Sequence, residues 1–305
     1  MRILVTGGAG FIGSNIVDCY LDAGHEVAVL DNISTGKKEN LNPKAVFFQN
    51  DLRDQALSGI IADFKPELIN HLAAQIDVRK SVTDPIFNAE INELGTLNLL
   101  NAARDAKVGK IIFSSTGGAL YGEVKEPNGA AEDHPMEPIS PYAITKRSVE
   151  MYLHAYSQLY GLKYTVLRYG NVYGPRQDPL GEAGVIAIFC GKIKKKEVPT
   201  IYGDGEQLRD YIYVGEVARA NLIALTKGDN RLFNIGTGVG TSVNQLYGIL
   251  KEQFKFDQAA VYAPPRAGEL FRSVLDCRLA KKELNWQAAC DIKEGLKRTV
   301  AWYYA

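Results

Sequence analysis

Tyr142 and Lys146 are the residues whose types and spacing most directly suggest chemistry. They lie four apart in a helix-like segment that follows Pro141, so their side chains share one helix face. A free tyrosine has a pKa near ~10, too high for a base at neutral pH. A neighbouring ammonium favours the phenolate and lowers that value. Such a pair can take a proton from a hydroxyl whose carbon is being oxidised. YxxxK also arises by chance in a chain with 16 tyrosines, and Tyr152 and Tyr156, farther along the segment, read as packing. Position sets Tyr142 apart, because it follows a strand-like run that ends in Ser114-Ser115-Thr116. Hydroxyls at the carboxyl end of a strand sit where ligands bind in open α/β sheets. A plain strand-end cap is a fair reading for Ser114, less so for all three.

A second constellation opens the chain. Thr6-Gly7-Gly8-Ala9-Gly10-Phe11-Ile12-Gly13 follows an apolar run and leads into a helix-length stretch. Glycines at 7, 10 and 13 allow a tight turn, close approach of the backbone to a pyrophosphate and a helix N-terminus facing the phosphates. Asp31 lies 18 residues past Gly13 and closes the next apolar run. A carboxylate there accepts from the ribose hydroxyls and repels a 2′-phosphate, which favours NAD over NADP. Asn32 and the Ser34-Thr35-Gly36 turn are placed to line the same ribose. Asp51-Leu52, after the third run, puts a carboxylate near the adenine, or else caps a loop.

Elements must hold these groups. Apolar runs at Ile3–Thr6, Val27–Leu30, Val46–Phe48, Leu68–Leu72, Ile111–Phe113 and Tyr164–Leu167 read as strands buried on both faces. Helical segments are expected from Phe11 to about Ala23, with Gly24 ending the first, and near 85–106 and 140–160. This alternation predicts an α/β, Rossmann-type, doubly wound parallel sheet over 1–170. A smaller, loop-rich unit over 171–305 follows, and a segment near 212–236 (Leu232–Ile235 within it) returns to the main sheet. Lys192–Lys196 reads as a solvated helix end.

Composition excludes several classes. Lys plus Arg and Asp plus Glu are equal at 35 each, which removes the simplest case for nucleic acid or an anionic membrane as partner. No apolar stretch is long enough to span a bilayer, and the start does not resemble a secretory signal. Cys19, Cys190, Cys277 and Cys290 form no CxxC pair, and the four histidines show no metal-ligand spacing, so no metal is expected. A cytoplasmic location is expected.

Taken together, Gly7-xx-Gly10-xx-Gly13, Asp31, Ser115-Thr116 and Tyr142-xxx-Lys146 resemble the extended short-chain dehydrogenase/reductase family, and within it the UDP-glucose 4-epimerase branch. The likeness continues through Leu167–Arg176, Gly203–Tyr211, Phe233–Gly236 and Arg266–Glu269. It implies Tyr142 as general base, Lys146 as its partner and Thr116 as the catalytic Ser/Thr. It places Phe11, Ile12, Leu72, Ala73, Ala74 and Tyr169 along the cofactor. Asn171, Val185 and Tyr202 go with the UDP-sugar, and Arg209 and Arg266 with its diphosphate, a task that suits a guanidinium fork. A homodimer is implied through the helices near 85–106 and 140–160. Two departures stand out. The loop Thr116-Gly117-Gly118-Ala119-Leu120-Tyr121-Gly122 is one residue longer than the usual form, and Ile76 replaces a frequent lysine.

The resemblance implies internal redox: oxidation of a UDP-hexose at C4, turning of the 4-keto sugar and reduction on its other face, with NAD regenerated in place. The nearest rival is a 4,6-dehydratase or a decarboxylase, which needs an acid after the strand-end Thr/Ser; Gly117 and Gly118 occupy those places. A non-catalytic dinucleotide sensor on the same fold is a rival of another class. Ser273 falls where plain-hexose epimerases carry a bulky tyrosine near the sugar 2-substituent. It either opens room for an N-acetyl group or sits in a strand that packs differently.

Overall fold

The computed structural model describes residues 1–180, 184–266 and 268–304. The first part contains β1 (Arg2–Thr6), α1 (Phe11–Asp22), β2 (Glu26–Asp31), β3 (Val46–Gln49), α2 (Leu57–Phe64) and β4 (Leu68–His71). Next come α3 (Val78–Thr83), α4 (Pro85–Ala89), α5 (Gly95–Asp105), β5 (Lys110–Thr116), α6 (Pro141–Tyr160) and β6 (Lys163–Tyr169). Beyond them lie β7 (Asn171–Tyr173), α7 (Val185–Lys194), β8 (Thr200–Tyr202), β9 (Leu208–Tyr213), α8 (Val214–Ala224) and β10 (Arg231–Ile235). The last are β11 (Gly240–Ser242), α9 (Val243–Phe254), β12 (Val261–Ala263), β13 (Arg272–Ser273) and α10 (Ile292–Tyr304).

Seven strands form one parallel sheet in the order β10-β6-β5-β4-β1-β2-β3. Alternate side chains of each strand feed opposite cores, as the two-residue period requires. Ile3 and Val5, with Val27, Val29 and Leu68, join the cluster under α1 and α8. Leu4, with Ala28, Leu30, Ile69 and Ile111, joins the one under α2, α5 and α6. Both faces are covered, which is why the runs read as continuously apolar. The chain reverses direction between β1 and β4, so the crevice at their carboxyl ends is the expected ligand position. Leu232–Ile235 does return to this sheet, pairing β10 with β6.

The expected helix near 85–106 is interrupted. Glu90–Leu94 between α4 and α5 is a π-helical turn. Inside it Asn92 accepts from the Gln75 amide (2.7 Å) and donates to Gln75 O (3.0 Å) and Thr145 Oγ1 (3.1 Å). Those bonds lie far apart in sequence, so periodicity alone does not reveal the irregularity. The later region is more ordered than a loop-rich reading suggests. It holds a four-stranded sheet of β11, β9, β13 and β7, a β12–β8 pair, and a core of its own around Tyr173, Phe189, Leu246 and Leu296. The lysine run does end a helix: α7 stops at Lys194, whose ammonium donates to Tyr303 O.

Candidate active site

At the end of β1 the chain turns through Gly7, whose φ of +72° favours glycine. A Cβ on Gly7 would stand 2.7 Å from Ala73 N, and one on Gly13 would stand 2.2 Å from Gly7 O. The first helix therefore packs against the turn at backbone distance. A Cβ on Gly10, in contrast, would meet only Gly7 O, at 3.2 Å, so its outer side is open. The N-terminus of α1 has no side-chain cap and no acidic residue in its first turn. An anion there is worth roughly 0.3–1 kcal/mol from the helix dipole, with amide hydrogen bonds in addition. These features fit a dinucleotide pyrophosphate.

Asp31 ends β2 and is almost fully buried. Its Oδ2 accepts from Ala9 N (3.0 Å) and its Oδ1 from Ile33 N (2.8 Å). Burial pushes its carboxyl up, and these two amides oppose the shift. Asp31 thus ties the glycine turn to β2, a role the sequence did not suggest. Gly36 closes over it, since a Cβ there would stand 2.9 Å from Asp31 Oδ1. Ile33 between them has a φ of +59°, an outlier for a β-branched residue, held by its bond to Asp31. Asn32 donates to Asp51 Oδ2 (2.8 Å), and its Oδ1 accepts from Ser34 N (3.0 Å). The Arg53 guanidinium beside Asp51 holds that carboxyl down at about 2. Leu52 is buried, and Asn98 donates to its carbonyl (2.7 Å). Gly7–Gly13, Asp31–Gly36, Asp51 and the β4 end thus converge on one edge of the sheet.

At the end of β4, Leu72 N donates to Thr6 O (3.1 Å) and Ala73 N to Thr6 Oγ1 (3.2 Å). Thr6 Oγ1 also meets His71 Nδ1 (2.7 Å), whose Nε2 meets Thr96 Oγ1 (2.8 Å). Burial drives the His71 ring down to about 3, and with both nitrogens bonded it is a neutral structural link.

The proton-transfer pair rides on α6. Ser140 Oγ accepts from Ala143 N (3.2 Å) as N-cap, Pro141 occupies the first turn and Gly161 ends the helix at φ +70°. Ala143, Lys146, Val149, Glu150 and Leu153 form the buried stripe. Lys146 is therefore pressed against β5, where its ammonium donates to Ser114 O (2.9 Å) and lies 5.9 Å from the centre of the Tyr142 ring. Desolvation lowers Lys146 to about 8. Tyr142 stands one turn earlier, only partly buried.

The three strand-end hydroxyls divide. Ser115 Oγ donates to Glu150 Oε1 (2.7 Å), beside a buried Arg168–Glu150 ion pair (2.6 Å), and faces away from the site. Ser114 Oγ bonds the Tyr169 hydroxyl (2.9 Å), which also accepts from Asn221 Nδ2 (2.9 Å). Tyr169's hydroxyl is thus held inside. Thr116 alone is half-exposed at the end of the strand.

Beyond Thr116, Gly118 approaches two substrate candidates. A Cβ on it would stand 3.3 Å from Asn171 Oδ1, and its carbonyl accepts from Ser273 Oγ (3.4 Å). Ser273 is buried and pairs in register with Arg209. Arg209 donates to Leu208 O (2.9 Å) and lies 3.7 Å from Glu269. Gln207 links Glu269 to Tyr202 O (3.4 and 3.1 Å), and the Arg266 guanidinium covers the Tyr202 ring at 4.0 Å. Ala267, inside the Arg266–Glu269 run, lies outside the described residues. Val185 opens α7 and packs against the third core.

The chain is similar to several known proteins over its whole length. The NAD dependent epimerase/dehydratase family matches residues 3–236. A UDP-glucose 4-epimerase of Mycolicibacterium smegmatis is 44% identical over 309 residues, 99% of this chain and 98% of its own. The crystal structure of a Thermotoga maritima UDP-glucose 4-epimerase with UDP-glucose superposes with a TM-score of 0.97 at 51% identity, covering 100% of this chain and 99% of that one. A Thermus thermophilus UDP-glucose 4-epimerase complexed with NAD gives 0.95 at 47% identity, with the same coverage.

Proposed function

Because the chain belongs to the NAD-dependent epimerase/dehydratase family, we propose that it is a nucleotide-sugar 4-epimerase that interconverts UDP-glucose and UDP-galactose through a 4-keto intermediate, with NAD as resident cofactor. The observation that carries this reading is the buried Lys146 ammonium, bonded to Ser114 O on β5 and one helical turn from Tyr142.

Bound NAD supplies a hydride acceptor and donor at the sugar C4. The chain's own residues do the rest. Tyr142 takes the proton from the 4-hydroxyl and later returns it, and Lys146 favours its phenolate form. Thr116 donates a hydrogen bond to the C4 oxygen. Arg209 and Arg266 hold the diphosphate while the flat sugar turns, and Asn171, Val185 and Tyr202 line the nucleotide-sugar. Gly7, Gly10–Gly13, Asp31–Asn32, Ser34–Gly36, Asp51–Leu52, Leu72–Ala74 and Tyr169 line the cofactor. Residues 1–170, with 212–236, serve as the cofactor-binding unit and the rest of 171–305 as the nucleotide-sugar unit.

The geometry disfavours dehydration or decarboxylation. Neither Gly117 nor Gly118 offers an acid after Thr116, and a Cβ on Gly117 would already stand 2.7 Å from Leu275 Cδ1. A homodimer is supported by exposed apolar residues on α4–α6, among them Ile86, Met151 and Leu159. A cytoplasmic location is supported by four unpaired cysteines. No helix of the described residues is long and apolar enough to cross a membrane.

The test is incubation of the purified protein with UDP-galactose, UDP-glucose, their N-acetylamino forms and dTDP-glucose, without added cofactor. Interconversion at C4 is expected, with NAD released on denaturation. A 4-keto-6-deoxy product, or NADP as the released nucleotide, contradicts the reading.

A further inference from the structure

Asp210 is a buried carboxylate that the reaction does not use. It sits on β9 between Arg209 and Tyr211, and among the described residues no cation pairs with it. Four donors from two other segments converge on it instead. Its Oδ1 accepts from Thr237 N and Thr237 Oγ1, both at 2.7 Å. Its Oδ2 accepts from Gly238 N (3.0 Å) and Leu275 N (3.3 Å). The chain around it is built to admit it: a Cβ on Gly236 would stand 2.4 Å from Oδ2, and one on Gly170 would stand 2.7 Å from Asp210 O. Burial pushes the carboxyl up, and the donors hold it down.

What these bonds fix lies on the sugar side of the site. Leu275, seated by Oδ2, carries the side chain that leaves no room for a Cβ on Gly117. Two residues earlier, Ser273 pairs with Arg209 and donates to Gly118 O. One carboxylate therefore registers the strand of a diphosphate arginine, the turn after β10 and the segment that braces the Thr116–Gly118 loop.

We propose that Asp210 is a positioning residue for the epimerase reaction: acting through Leu275, it sets the distance between the loop bearing Thr116 and the wall bearing Ser273 and Arg209. This rests on the epimerase reading. The role needs a carboxylate, because an amide of the same shape brings an NH2 group against N–H donors whichever way it is turned.

The test uses the full-length, NAD-loaded enzyme. Asp210→Asn should speed backbone hydrogen exchange across 116–122, where Gly117 N is bonded to Tyr169 O. It should lower kcat for UDP-galactose by about 10- to 100-fold with KM little changed, as misplacement of reacting groups does. Leu275→Ala should lower kcat as well, and the double variant should lose less than the product of the two losses. Unchanged exchange, a wild-type kcat, or fully multiplicative losses would each overturn the proposal. If Asp210→Asn does not fold, Thr237→Val removes one of the four donors and should move exchange and kcat the same way by less; no movement in either overturns it. A wild-type protein that fails to convert UDP-hexoses contradicts the epimerase reading, and the exchange experiment still decides the role of Asp210.

Discussion

Gly7, Asp31 and Ala73 hang on the ends of parallel strands in a seven-stranded sheet, whereas Asn171, Arg209 and Ser273 sit on strands of two to six residues outside it. The first group is placed by the chain immediately before it. Each strand is fixed by core packing on both faces, so the residue at its end has little freedom. The second group is placed by partners far away in sequence: Ser273 by Arg209 and Gly118, Leu275 by Asp210 and Gly117. In the proposed reading the first group holds the cofactor and the second the sugar: cofactor chemistry repeats at one carbon and suits the rigid side. A sugar that must turn and be held again suits the side assembled from separate segments.

The sharpest way to break this comparison is to remove the group on which the proposed proton transfer depends. Tyr142→Phe should cut turnover by roughly 10²–10⁴-fold while the protein stays folded and keeps its NAD, since only a titratable hydroxyl is lost. A variant within a few-fold of wild type would take Tyr142 out of the mechanism. Gly13→Ala strikes the rigid side alone. Its Cβ would fall 2.2 Å from Gly7 O, so the purified variant should carry little NAD, measured as nucleotide released on denaturation. Full occupancy would show that the close helix contact is not what holds the cofactor.

On the assembled side the effects should be selective. Ser273→Tyr should lower activity on the N-acetylhexosamine pair roughly tenfold or more beyond any loss on UDP-galactose, because the lost volume matters most to the larger sugar. Equal losses on both, or a wild type that ignores both acetylated sugars, would show that Ser273 is not a size gate. The smallest effect concerns pH. Lys146, lowered to about 8 by burial, loses its charge as pH rises through that value, and with it the support for the Tyr142 phenolate. kcat/KM should therefore fall above about pH 8, and His71, held near 3, should add no limb between pH 6 and 7. A flat profile up to pH 10 would remove Lys146 from that role.

The same contrast explains what could be read in the sequence. The strands of the main sheet show as apolar runs because both faces are buried, and Asp31 shows because it closes one of them. The Tyr142–Lys146 spacing reads as one helix face because Pro141 marks the helix start; the Ser140 and Gly161 caps appear only in the structure. On the other side Asn171 and Ser273 lie on strands of three and two residues, too short for a period, and Arg209 lies on a six-residue strand that is no apolar run, so resemblance alone points to them. Asp210 lies inside a run that carries the resemblance, but its role and the π turn at Glu90–Leu94 gave no signal, since long-range hydrogen bonds define both. Ser115 was misleading in the opposite sense: its hydroxyl stands beside Thr116 in sequence, but the strand's alternation turns it to Glu150.

The central claim, internal redox at C4, is tested most directly by following the hydrogen on that carbon. UDP-galactose carrying deuterium at C4, incubated in ordinary water with the purified protein and no added cofactor, should yield UDP-glucose that keeps the deuterium at C4. Loss of the label to solvent, or a reaction that proceeds only when NAD is supplied and consumed, would contradict it.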